Sequence, residues 1–148
     1  MSSRQLVVFS IGEEDFGIYI EYVNIIEKML EIFKIPNTPD YIEGLVNLRG
    51  KVHTVINLRK RFKMPSPEFT ESTKIIMANT SDSIVGIIVD EVKQIIKVDE
   101  SQCEAPPKAL SGLKDKYLSG IVKAEDKVIM LLDVEKILSV EEVVKAAK

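Results

Sequence analysis

Residues 41–62, YIEGLVNLRGKVHTVINLRKRF, lie over residues 117–138, YLSGIVKAEDKVIMLLDVEKIL, without a gap. Six of the 22 positions are identical: Tyr41/Tyr117, Gly44/Gly120, Val46/Val122, Lys51/Lys127, Val52/Val128 and Lys60/Lys136. Most of the others keep their apolar or polar character, and Asn57 answers to Asp133. Upstream, FGIYIEYVNIIEKM (16–29) lies over VGIIVDEVKQIIKV (85–98), and LVVF (6–9) over IIMA (75–78). The offset is 69 for the upstream blocks and 76 for the downstream one, so the second copy carries seven extra residues within 98–117. Two ungapped blocks in the same order mark an internal duplication, and a duplication decides the architecture before any single motif does.

Each copy reads as strands. LVVFSI and FGIYI are short β-branched and aromatic runs around Gly12-Glu13-Glu14-Asp15, a hairpin signal. LVNL and VHTVINL flank a second one at Arg49-Gly50-Lys51, and residues 79–83 and 124–127 take the same two turns in the later copy. All six prolines fall between runs, where a missing N–H does a sheet no harm. Asn57 and Asp133 precede brief helical patterns, LRKRF and VEKIL, and suit N-caps. Ser139 and Glu142 open a C-terminal helical stretch, SVEEVVKAAK, in capping-box form. About five short strands per copy favour closure into a small barrel, which hides sheet edges. The fold expected is all-β: two packed five-stranded barrels with short helices and a C-terminal helix. It forms a single domain over 1–148, with a first copy at 1–66 supported by C-terminal contacts, a second at 67–138, and a tail at 139–148.

Composition narrows the function. Net charge is −3 and aromatics are 6%, without tryptophan, whereas oligonucleotide-binding barrels pair basic grooves with stacking rings. A small nucleic-acid-binding barrel is therefore the alternative reading, and the dense basic run, residues 59–63, reads as a solvated face. Cys103 is the sole cysteine and His53 the sole histidine, so multi-ligand zinc chemistry lacks its donors. His53 sits on a strand run and aligns with Ile129, a structural position. Asp90 and Glu91 are adjacent on an extended run and point to opposite faces. No phosphate-cradling glycine loop is present. The expectation is a non-enzymatic chain without metal or cofactor, monomeric alone and cytoplasmic, with no signal-peptide layout and no membrane span. Its four tyrosines, Tyr19, Tyr22, Tyr41 and Tyr117, read as core or rim residues. Ile18, Ile20, Val23, Ile25 and Ile26 crowd one segment beyond what alternation can bury, so part of that apolar surface is expected to meet another chain.

LVVFSIGEEDFGIYI, IPNTPDYIEGLVNLRGKV followed by INLRKRF, VGIIVDEV, and YLSGI followed by MLLDVEKIL resemble the chemotaxis coupling protein family CheW across almost the whole chain. The resemblance implies two SH3-like barrels and an adaptor. Such an adaptor bridges the cytoplasmic tips of methyl-accepting chemoreceptors to the regulatory domain of the histidine kinase CheA, in membrane-associated arrays. It maps receptor contacts onto Ile20, Val23, Arg49 (the Arg of NLRG) and Val52, and a receptor- or kinase-facing role onto Glu43 and Gly44. Ile25, His53 and Thr54 depart from the family pattern, in which Glu, an aliphatic residue and Pro are common.

Overall fold

A computed structural model of the chain describes residues 3–106 and 116–137. Eleven strands run through them: β1 (Ser3–Ile11), β2 (Glu14–Tyr19), β3 (Val23–Lys28), β4 (Ile42–Leu48), β5 (Lys51–Asn57), β6 (Lys74–Asn79), β7 (Ile84–Val89), β8 (Glu91–Asp99), β9 (Cys103–Glu104), β10 (Leu118–Ala124) and β11 (Lys127–Leu132). Helices α1 (Leu58–Arg61) and α2 (Val134–Ile137) follow β5 and β11. Asn57 Oδ1 accepts the Lys60 amide at 3.2 Å and Asp133 Oδ1 the Glu135 amide at 3.0 Å, so both expected N-caps form. β9 has its counterpart in the first copy in the single bridge at Phe33. Residues 107–115 and the expected C-terminal helix at 139–148 lie outside the described residues.

Two sheets result, in the orders β8-β1-β2-β11-β10-β9 and β3-β6-β7-β5-β4. The all-β, two-barrel architecture is as expected, but the assignment of strands to barrels is not. Residues 1–66 do not make one barrel and 67–138 the other. Each sheet takes its first hairpin from one copy and its remaining strands from the other. Hairpin β1–β2 completes the sheet of β8 to β11, and hairpin β6–β7 completes the sheet of β3 to β5. The joins are parallel pairings, Gly17↔Leu131 between β2 and β11 and Gly86↔Val55 between β7 and β5. These pairs are equivalent under the repeat, and so are the antiparallel bulges at 8/9 and 23/25 and those at 42/44 and 118/120. At both joins there is no room for a side chain on the glycine. A Cβ on Gly17 would come within 2.7 Å of Leu6, and one on Gly86 within 2.9 Å of the repeat-equivalent Ile75.

Burial explains why the exchange holds. Leu6, Val8, Val98, Val122, Ile129 and Leu131 fill the interior of the first sheet, drawing from strands near both of its ends. Val46, Val55, Ile75, Met77 and Ile88 do the same in the second. The five-stranded sheet is closed by reciprocal bonds between Phe33 and Leu45, both 2.8 Å. The largest cluster lies between the sheets, where alternate residues of the same strands (Ile18, Ile56, Ile76, Ile87, Leu132) face across a seam. Each such side chain contributes about 1.5–3 kcal/mol on burial. Through the seam runs a line of rings, Phe9, Phe16, Phe62 and Tyr117, at successive centroid distances of 5.9, 5.5 and 5.6 Å. Arg61 ends the line, its guanidinium 4.1 Å from the Tyr41 centroid and 4.9 Å from that of Tyr117.

Fragments 1–66 and 67–148, produced separately, should each lack a dispersed amide spectrum and regain the native one when refolded together. A fragment that folds alone would contradict the strand exchange.

Candidate functional site

The register of the second sheet fixes where the expected site residues stand. Val23 pairs with Ala78 and Ala78 with Val85. Val85 lies beside Thr54, because Val55 pairs with Gly86, and Thr54 pairs with Leu45, which is bridged to Phe33. One row thus crosses the sheet from Val23 to Phe33. Ile20 and Val23 at one edge, and Val52 and Arg49 near the other, stand at the same end of the barrel. β3 and β5 are three strand spacings apart along the sheet, about 14 Å. Ala78 and Val85 belong to the seam, covered by the other sheet, and Val23 packs half-buried at its margin. Beyond that cover the row passes through Thr54 and half-buried Leu45 to Phe33, which is 54% accessible, and Val52, two residues before Thr54 on β5, is 60% accessible. Ile20 (36%) and Tyr22 (43%) are exposed at the turn leading into β3. The apolar surplus noted in residues 18–26 therefore divides. Ile18 is buried, Val23 and Ile26 pack on the seam, Ile25 packs on the barrel interior, and Ile20 faces solvent.

Arg49 and Gly50 form the two-residue tip of hairpin β4–β5, with φ 54° and 81°. Two positive φ values are the mark of a type I′ turn, which favours Asn, Asp and Gly. A non-glycine residue in this region carries a cost of order 1 kcal/mol. The repeat-equivalent Glu125 has φ 57°, so the two tips share a backbone and present opposite charges.

Glu43 and Gly44 stand elsewhere. Glu43 is six residues from Arg49 along the hairpin, about 20 Å. Its carboxylate accepts Asn57 Nδ2 at 2.8 Å and pairs with Lys60 Nζ at 2.8 Å. Gly44 has φ 148°, and a Cβ there would meet the Phe33 carbonyl oxygen at 2.3 Å. Its lack of a side chain is what lets residues 33 and 45 close the barrel.

The chain passes between the sheets at the turn Ile20–Tyr22 and at Asp90. Asp90 is not part of an extended run, as its sequence neighbourhood suggests. It is the single residue between β7 and β8, and its carboxylate accepts Arg59 Nη2 at 2.6 Å, Arg59 Nε at 3.0 Å and the Gly12 amide at 2.7 Å. Burial by itself would raise its pKa. The bonds from Arg59 and Gly12 outweigh that and hold the carboxyl below the usual carboxylate range. The basic run is accordingly not a solvated face: Arg59 is paired with Asp90, Lys60 with Glu43, Arg61 sits over two rings and Phe62 is buried. Tyr41 and Tyr117 are core, whereas Tyr22 is not. On the far sheet Tyr19 lies 3.5 Å from Cys103 Sγ, and burial, reinforced by that contact, pushes its phenol up to about 12. His53 is half-buried opposite Val46. Among the described residues no group of three or more His, Cys, Asp or Glu side chains could hold a metal ion, and no helix is long and apolar enough to cross a membrane.

The CheW-like domain model matches residues 5–142. The chain belongs to the CheW-like domain family. It is 35% identical over 140 residues to a chemotaxis protein CheW of Bacillus subtilis, covering 95% of this chain and 90% of that one. It is 34% identical over 147 residues to one of Treponema pallidum, covering 97% and 86%. A solved CheW-family structure, the crystal structure of scaffolding protein TtCheW from Thermoanaerobacter tengcongensis, superposes with a TM-score of 0.84 at 37% identity, covering 89% of this chain and 90% of that one. This is a family of chemotaxis scaffold proteins. Phe33 and Leu45 extend its exposed end in this chain, and sequence reading missed them. Residues 29–41 look like a plain connection, and only the bridge at Phe33 brings them to the sheet.

Two outcomes follow for stability. Gly44→Ala should cost about 1–3 kcal/mol and lower the thermal midpoint, while Val52→Asp should leave it within about a degree. In acid, the lowered pKa of Asp90 means that its contribution is present above the unfolded value of about 4 and is lost as pH falls through the folded one. Denaturant unfolding at pH 7 and pH 3 should show Asp90→Asn losing about 1–2 kcal/mol at pH 7, after discounting for partial exposure, and less at pH 3.

Proposed function

We propose that this chain couples the cytoplasmic tips of methyl-accepting chemoreceptors to the regulatory domain of the histidine kinase CheA, allowing receptors to control the kinase in membrane-associated arrays. The observation that carries the reading is the exposed apolar end of the second sheet, Ile20 and Val52 with Tyr22 and Phe33, beside a strained arginine tip. Exposed apolar groups rimmed by charge mark sites where another chain binds. Strain kept at Arg49, where asparagine or glycine fits better, points to a residue retained for contact rather than for the turn. A receptor tip, as a helical hairpin, would lay an apolar ridge on Ile20, Val23 and Val52 with Arg49 fixing its orientation. Glu43 and Gly44 act at the base of the same hairpin, and substitutions there reach either partner through the backbone they hold.

Coupling needs no bond-making in this chain. An adaptor transmits a signal when the states of its two partners bind it with different affinity, because a ligand shifts an equilibrium only by its differential affinity. Recruitment to the membrane then comes from the receptors. The competing reading, a nucleic-acid-binding barrel, is weakened by the basic run itself, since Arg59, Lys60 and Arg61 are engaged within the fold.

Arg49→Asn makes the decisive test. It relieves the turn, so the thermal midpoint should hold or rise, while retention of a receptor-tip fragment in pull-down should fall several-fold and retention of the kinase regulatory domain should not. Equal loss of both partners, or none of either, refutes the assignment of Arg49. Saturable amide shifts on titration with a short oligonucleotide would overturn the adaptor reading.

A further inference from the structure

The duplication allows the two passages between sheets to be compared group by group, and they are built differently. In both, the turn of a first hairpin is held by a carboxylate. Gly12 N donates to Asp90 at 2.7 Å, and the repeat-equivalent Ser81 N donates to Glu135 at 2.5 Å. The carboxylates come from different places. Asp90 is the crossing residue itself, gripped by Arg59 of α1. Glu135 is the repeat equivalent of Arg59, and it has taken over the turn from the equivalent of Asp90, which is Glu21.

Displaced from that position, Glu21 accepts two bonds from Arg4 of β1, at 2.9 and 3.1 Å, on the surface. That pair ties the crossing back to the sheet it leaves. Around Asp90 the bonds reach much further. Arg59 Nη1 also donates to the Pro65 carbonyl at 2.9 Å, and the Asp90 amide donates to the Ser10 carbonyl at 3.1 Å. One guanidinium and one carboxylate thus join α1, the linker between the copies, the crossing and the β1–β2 turn, elements of both sheets. The Asp90 crossing is one residue long, whereas the other is a three-residue turn with Ile20 and Tyr22 exposed.

We infer that the two crossings are unequal hinges: Asp90, clamped by Arg59 and Gly12, is the fixed pivot that sets the angle between the sheets, and Ile20–Tyr22 is the compliant one. A force applied at the exposed end of the second sheet is taken up at Ile20–Tyr22, and the pivot keeps the two barrels in one relative placement. The inference concerns the chain alone and does not depend on the partners assigned above.

Spin labels at Lys51 and Lys127, exposed repeat-equivalent positions beside the two hairpin tips, report the inter-sheet distance in a Cys103→Ser background of the full chain. The starting protein should give one narrow distribution. Asp90→Ala and Arg59→Leu should broaden it about twofold and speed exchange of the Gly12 and Asp90 amides about tenfold, as expected for a local opening. Glu21→Ala should leave both readouts unchanged. Asp90→Asn, which keeps an acceptor for Gly12 and removes the charge, should broaden the distribution to a lesser degree and serves where Asp90→Ala does not fold. A distribution as narrow as the starting one in a folded Asp90 variant, or equal broadening by Glu21→Ala, overturns the pivot.

Discussion

Everything in this molecule hangs on two short parallel pairings, β2 with β11 and β7 with β5. Each sets a hairpin from one copy of the repeat beside a hairpin from the other, and at each join stands a glycine whose face is filled by an apolar side chain of its own hairpin, Leu6 or Ile75. Without them neither sheet has enough strands to enclose an interior. Because the exchange is reciprocal, the two sheets share one chain path and one seam, and the seam holds the largest apolar cluster.

The strands, turns and caps could be read from residues alone, since alternation, turn chemistry and N-cap identity are local properties. The repeat made the two-barrel architecture legible as well, but not the bulges, which only the pairing register shows. It could not say which hairpin joins which sheet, because a copy closing on itself and a copy exchanging with its twin have the same sequence periodicity. The same limit governs the side chains. Arg59, Lys60 and Arg61 look like a solvated charge run until the fold places Asp90, Glu43 and two tyrosine rings beside them. Ile20 was visible in an apolar surplus and Arg49 in a turn motif, whereas Val52 came only from the family resemblance. Phe33 was not, since one pair of backbone bonds brings it to the barrel from a segment without strand character.

Divergence between the copies has fallen where the backbone does not feel it. The interiors stay largely apolar at equivalent positions, whereas the hairpin tips differ in charge, Arg49 against Glu125, and the closing bridges differ in polarity. Phe33 lies opposite Leu45 in one barrel, and Glu104 opposite Ile121 in the other, where it pairs with Lys123. The tips and closing bridges thereby differ in charge and polarity on a common frame, although Val128 is as exposed as its repeat equivalent Val52. A protein that must hold two different neighbours at a fixed spacing gains both properties from one duplication.

Reciprocal exchange also imposes an order of events at the ribosome. Hairpin β1–β2 emerges first, yet the strand that closes its inner edge, β11, is made roughly a hundred residues later. At about 5–20 residues per second the wait is on the order of 5–20 s. Until β8 and then β11 are made, Leu6, Val8, Phe9 and Phe16 have only their own hairpin to pack on, although all are buried once folding ends. The nascent chain is therefore exposed to aggregation and to chaperone capture through its first twenty residues. Closure over so long a stretch of chain favours slow folding.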